Sequence, residues 1–162
     1  MKNVKYLAIL LCAAAVLVGC SKGPKKPANL PKLFPATVTV TYDDGTPIDQ
    51  ATVAFRKPGG GSSEWNVTGR TGADGKLVLM TNGNWEGAPA GEYEVMIEKQ
   101  ISELVEPTEK GASVKVASTT NYIDKKYANP RTSGLTATIT EGTNELTFKV
   151  GAPLNDAVQM LE

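Results

Sequence analysis

Ala36-Thr37-Val38-Thr39-Val40-Thr41-Tyr42, followed by Asp43-Asp44-Gly45, is the stretch that decides the fold. Ala36, Val38, Val40 and Tyr42 alternate with threonines. A period of two puts every apolar side chain on one face of a strand, and β-branched threonine suits the opposite, half-wet face. The Asp-Asp-Gly that follows is turn chemistry, because glycine tolerates positive φ and aspartate can cap its own backbone. The pattern recurs downstream. Ala51, Val53 and Phe55 share one face of a second strand, which Pro58 and the glycines after it break. Residues 64–71 can form a third strand, and Ala73-Asp74-Gly75-Lys76 turns into a fourth at 77–81. Residues 82–91 are a Gly/Pro-rich loop. Residues 92–101 alternate Tyr93, Val95 and Ile97, and strands at 135–140 and 145–150 are joined by Gly142-Thr143-Asn144. Short strands punctuated by turns predict an all-β chain folded as a seven-stranded antiparallel β-sandwich. The domain is expected over residues 36–151, with a tail at 152–162 whose last eight residues are too short for an independent helix. Val53, Phe55, Leu79, Tyr93, Val95, Ile139 and Phe148 are the expected core.

The N-terminus has a different grammar. Lys2 and Lys5 precede an apolar run from Tyr6 to Val18, and Leu17-Val18-Gly19-Cys20 closes it. Those 13 apolar residues reach roughly 20 Å as a helix, short of the ~30 Å hydrocarbon core. The length and the leading lysines suit a signal peptide over residues 1–19. Leu17 to Cys20 resembles the lipobox of bacterial lipoproteins, in which a thiol follows small, apolar residues. That resemblance implies a mature chain that starts at a lipidated Cys20 and is held in the cell envelope by several acyl chains, which together anchor firmly. Ser21 is not the aspartate that retains such proteins at the inner membrane, so outer-membrane sorting is expected. Residues 20–35 hold Pro24, Pro27, Pro31 and Pro35 and little to bury. They read as an extended spacer with a reach of roughly 45 Å.

Composition removes several kinds of chemistry. Cys12 leaves with the signal and Cys20 is taken by lipid, so the mature chain is left without a disulfide or a catalytic thiol. There is no histidine, which excludes His-based acid–base catalysis, Ser-His-Asp triads and most zinc, copper and haem sites. No cofactor or metal is expected, and the chain is read as non-enzymatic. Residues 1–35 hold six lysines and no acid, leaving 11 basic and 17 acidic groups elsewhere, a net of −6. An acidic domain argues against nucleic acid as a partner. Lys22, Lys25, Lys26 and Lys32 could touch anionic head groups, although a solvated tether is the simpler reading.

The order of turns and strands carries a second resemblance. Thr39 to Ile48, Ala51 to Phe55, Thr71-Gly72-Ala73-Asp74-Gly75-Lys76-Leu77 and Ala90-Gly91-Glu92-Tyr93-Glu94-Val95 together resemble the carboxypeptidase regulatory-like domain, a transthyretin-like (prealbumin-like) sandwich. Lys126 to Leu135 is similar to a stretch of small lipoproteins of planctomycete-type bacteria that carry this domain. The resemblance implies a non-catalytic add-on, spacer or binding module, and fold alone names no ligand.

Candidate functional residues are few. Asp43, Asp44, Asp49 and Asp74 lie near turns but lack the spacing of a calcium loop, so capping is their expected role. Trp85, in the Gly/Pro-rich loop, and Tyr122 and Tyr127, in an irregular stretch over residues 102–129, are the candidate binding residues. Trp65 is weaker, on a polar strand. Amphipathic rings of this kind dominate binding hot spots. They suggest an envelope protein or a glycan as partner, or simply rings that seal the core. The expected function is a tethered binding or assembly module, with a carbohydrate-binding accessory protein as the alternative.

Overall fold

A computed structural model describes residues 24–59, 64–105 and 115–154. The segment expected to be a signal peptide, Cys20 and the last eight residues lie outside them. The elements are β1 (Leu33–Phe34), β2 (Ala36–Thr41), β3 (Thr52–Arg56), β4 (Val67–Arg70) and β5 (Lys76–Val78). Then come β6 (Met80–Thr81), β7 (Trp85–Glu86), β8 (Ala88–Pro89), β9 (Gly91–Glu98), β10 (Gln100–Val105) and β11 (Lys115–Asn121). A 3₁₀ turn (Lys125–Ala128), a single helical turn α1 (Pro130–Ser133), β12 (Leu135–Ile139) and β13 (Asn144–Lys149) complete the described chain. The protein is all-β.

The larger sheet has the order β12-β9-β3-β4-β6-β7 and the smaller one β13-β2-β5. Alternation decides which side chains meet between them. Val38 and Val40 from β2, Val53 and Phe55 from β3, and Val95 and Ile97 from β9 are almost wholly buried in one cluster. Phe55 bridges the sheets, its ring 6.2 Å from Phe148 on β13 and 5.6 Å from Tyr93 on β9. Leu79 lies between β5 and β6, so one extended stretch serves the small sheet and then the large one. Its amide donates to the Ala36 carbonyl at 2.9 Å and its carbonyl accepts from Gly87 at 2.7 Å. Gly75 makes the preceding turn with φ at 71°. A Cβ there would come within 2.6 Å of the Val40 carbonyl oxygen, so only glycine fits.

Every stretch read as a strand from its alternation lies wholly or partly in one of these strands, and all seven expected core residues are buried. Four expectations need correction. The pairing is not wholly antiparallel, because β13 runs parallel to β2, from Asn144 opposite Ala36 to Lys149 opposite Thr41. The turn after β12 carries the chain from the edge of one sheet to the edge of the other. Buried Asn144 fixes that turn: its Nδ2 donates to the carbonyls of Thr140, Gly142 and Pro35, and its Oδ1 accepts from the Thr140 amide. The expected spacer does not run to Pro35, since Leu33–Phe34 pairs with Ala88–Pro89 and Phe34 joins the core. The loop over residues 82–91 is therefore partly strand. The described parts of residues 102–129 are not all irregular: β10 follows β9 and pairs with β11, with a bulge between Glu103 and Leu104.

Two consequences are measurable. Phe148→Ala should cost about 3–5 kcal/mol in denaturant melts, as for other buried aromatics; a loss below about 1 kcal/mol would show that Phe148 does not bridge the sheets. Burial pushes the Tyr93 phenol up to about 12 from an ordinary 10.0. The folded state then holds a proton that the unfolded chain releases in that window. Stability should be undiminished below about pH 10 and fall as pH rises towards 12, with a shallower alkaline limb in Tyr93→Phe melts.

Candidate binding surface

The three ring candidates do not form one surface. Trp85 is half-buried on β7, the last strand of the large sheet. Tyr122 and Tyr127 are only 8% and 9% exposed and belong to the core. Register places them far apart, for Trp85 pairs with Thr81, Thr81 with Val67, Val67 with Phe55 and Phe55 with Val95. Those four steps separate β7 from β9 by roughly 19 Å, and Tyr122 bonds to Lys99 just beyond β9. Tyr127 plugs the fold from a short capped segment. Asp124 caps the 3₁₀ turn, Asn129 caps α1 at the Arg131 amide, Pro130 starts α1 and left-handed Gly134 ends it. Ser133 then ties α1 to β9, its hydroxyl donating to the Val95 carbonyl at 2.6 Å. Cys20 lies outside the described residues.

A pair of charges anchors the β10–β11 hairpin. Tyr93, Val95 and Ile97 point inward, and the same period carries Lys99 inward at the point where β9 becomes β10. Its ammonium is buried against the Asp49 carboxylate and lies 5.3 Å from the centre of the Tyr122 ring. The Tyr122 amide donates to the Lys99 carbonyl at 3.0 Å, and the Tyr42 hydroxyl donates to the Tyr122 carbonyl at 3.2 Å. Burial first, then the nearby Asp49 and Asp44 carboxylates, raise the Tyr42 phenol above its ordinary value. This polar knot ties β2, the turn before β3, β9 and β11 together.

Beyond the knot, β10 and β11 pair only with each other among the described residues. Neither outer edge has a neighbouring strand among the described residues, and such an edge is a template for strand addition. At the hairpin's base an open groove of about 580 Å³ is lined by Thr119, Thr120, Asn121, Asp124, Lys125 and Leu154. Leu154 is 53% exposed. A second concavity of about 340 Å³ lies on the outer face of β9 and β12, where Glu92 and Glu94 face Thr138 and Thr136. Glu94 Oε2 is closed off there without a hydrogen-bond partner.

Of the four turn aspartates, Asp44 and Asp74 act as caps, whereas Asp49 is the partner of Lys99. Asp44 Oδ1 accepts from the Thr46 amide at 2.8 Å and Asp74 Oδ1 from the Lys76 amide at 3.0 Å. The Thr46 amide, and then its hydroxyl, hold the Asp44 carboxyl below its ordinary value. Among the described residues no three Asp, Glu, His or Cys side chains gather where they could hold an ion, and no helix is long and apolar enough to cross a membrane. No family model, curated protein or solved structure matches the chain.

Reading the sequence for turns missed the partnership of Asp49 with Lys99; the signal was there in the odd-numbered series Tyr93, Val95, Ile97, Lys99. Removing one member of a buried ion pair strands the other. Asp49→Ala should cost about 3 kcal/mol in chemical denaturation, whereas Asp49→Leu with Lys99→Met should recover most of it. A single variant as stable as wild type would show that the pair does not hold the hairpin root.

Proposed function

We propose that this chain is a non-catalytic lipoprotein of the bacterial envelope, anchored by acyl chains on Cys20. Its transthyretin-like, seven-stranded sandwich serves as a binding or assembly module of the carboxypeptidase regulatory-like kind. The observation that carries the binding role is the β10–β11 hairpin, whose outer edges pair with no other strand among the described residues, on a root fixed by Asp49, Lys99 and Tyr122. A two-stranded ribbon is marginal by itself in water. A rigid mount for a marginal, open-edged ribbon suits an element completed by a partner strand. The lipobox supports the anchor and the acidic body speaks against nucleic acid. The glycan-binding alternative rests on Trp85 alone once Tyr122 and Tyr127 are counted in the core.

A photo-crosslinking residue at Thr119, on the hairpin, tests both halves in cells that are then fractionated. The wild-type anchor should leave the chain in the membrane fraction, carrying one discrete envelope adduct. Cys20→Ala should move the chain to the soluble fraction. Membrane retention of Cys20→Ala equal to wild type would sink the anchor, and a chain without an adduct would sink the hairpin's role.

A further inference from the structure

The N-terminal segment does not simply leave the domain; it folds back along one end of it. Phe34 packs where Gly87 allows it, since a Cβ on Gly87 would fall 2.6 Å from the Phe34 carbonyl oxygen. Five residues earlier, the Asn29 amide donates to the Glu64 carboxylate. This path runs beside both tryptophans of the chain. Glu64 is the neighbour of Trp65, and Gly87 lies two residues beyond Trp85. The turns that hold these tryptophans are laced together, because the Asn66 amide donates to Asn82 Oδ1 and the Asn82 amide to the Asn66 carbonyl, each at 2.7 Å. Trp65 and Trp85 are both half-buried.

Charge at this end departs from the rest of the body. Lys32 is exposed on the docked segment and Lys25 and Lys26 just before it, and Arg56 lies next to Trp65 through its bond to Asn66 Oδ1 at 2.8 Å. Glu64 and Glu86 are the acids next to the tryptophans. Cations are thus in excess here, although residues 36–162 as a whole carry a net −6. Docking from Asn29 onward also shortens the spacer: the nine steps from Cys20 to Asn29 reach about 28 Å at the rise of an extended Pro-rich chain.

We infer that this end, built from Trp65, Trp85 and the Lys25–Lys26–Lys32 segment, is a membrane-contact surface that seats on anionic phospholipid. Half-exposed tryptophans partition to the bilayer interface, and juxtamembrane lysines are drawn to an anionic leaflet within a Debye length. The acidic remainder is repelled by the same leaflet, so the two charges orient the domain together. This inference rests on the anchored reading above, but the surface has its own signature.

Because the chain holds only two tryptophans, Trp65→Phe and Trp85→Phe each leave a single reporter. The full lipidated chain is reconstituted into phosphatidylcholine vesicles with or without phosphatidylglycerol, using brominated lipids as quenchers. Each single-tryptophan protein should be quenched about twofold in the anionic vesicles, weakly in the neutral ones and weakly at high salt. Lys25→Glu with Lys26→Glu should abolish the quenching without changing the melting temperature. Unquenched tryptophans on vesicle-bound protein would overturn the surface and leave the anchor intact. Failure to enter vesicles would overturn the anchor instead. The surface would then be judged on Cys20→Ala, which should sediment with anionic but not neutral vesicles; sedimentation with neither would overturn it.

Discussion

The contact between the two sheets governs everything else. Val38 and Val40 on one side, and Val53, Phe55 and Val95 on the other, are closed to water in one body of side chains. Burying such side chains contributes roughly 1.5–3 kcal/mol each, and the described residues hold no cysteine to cross-link them. The sheets must therefore stay in register, and three devices fix it. Asn144 sets the crossing from β12 to β13, Gly75 lets the turn before β5 approach Val40, and Leu79 passes one stretch from sheet to sheet. Each device sits where the chain changes sheet or direction, because inside a strand the alternation is enough.

Lys99 shows what happens when alternation runs past the apolar residues. The strand gives it an inward position at the edge of the core, where an unpaired ammonium would be costly. Asp49, placed by the turn before β3, neutralises it, and Tyr122 lays a ring beside it. A buried ion pair is weak as a source of stability but strict in geometry. Its consequence is positional: the hairpin leaves the body at a defined point, although nothing in the described residues pairs with its outer edges. Rigidity at the root and openness at the edges arise from the same few residues.

The strands were legible because a period of two in Val, Thr, Tyr and Phe has few other meanings. The extra elements were not, and the reasons differ. Leu33–Phe34 is too short to show a period and is flanked by prolines, so a buried aromatic passed for tether. β10 follows β9 without a turn signal, and the bulge at Glu103 breaks its alternation. Tyr127 follows two lysines, and only α1, anchored through Ser133 to Val95, turns its ring inward. Parallel pairing of β13 with β2 depends on which way the four-residue turn at 140–143 crosses between sheets, which is a tertiary fact. Among the site residues, the tryptophans were visible as amphipathic rings, but their place beside the docked N-terminal segment required Asn29 and Phe34 to be seen in contact with the body.

Register also relates the two surfaces. Arg56 pairs with Glu94 and bonds to Asn66, next to Trp65, whereas Thr52 pairs with Glu98, next to Lys99 and the hairpin root. Along β3 and β9, then, the tryptophan end and the hairpin end are opposite, about 13 Å apart at four residues' rise. A domain seated on the leaflet by its tryptophan end holds the hairpin root on the far side, with its open edges away from lipid. An edge pressed against head groups could not receive a strand, since the polar rows needed for pairing would be occupied by water and phosphate. On the proposed seating, holding and binding would fall to opposite ends of the same two strands, with the hairpin edges that no described residue pairs turned away from lipid.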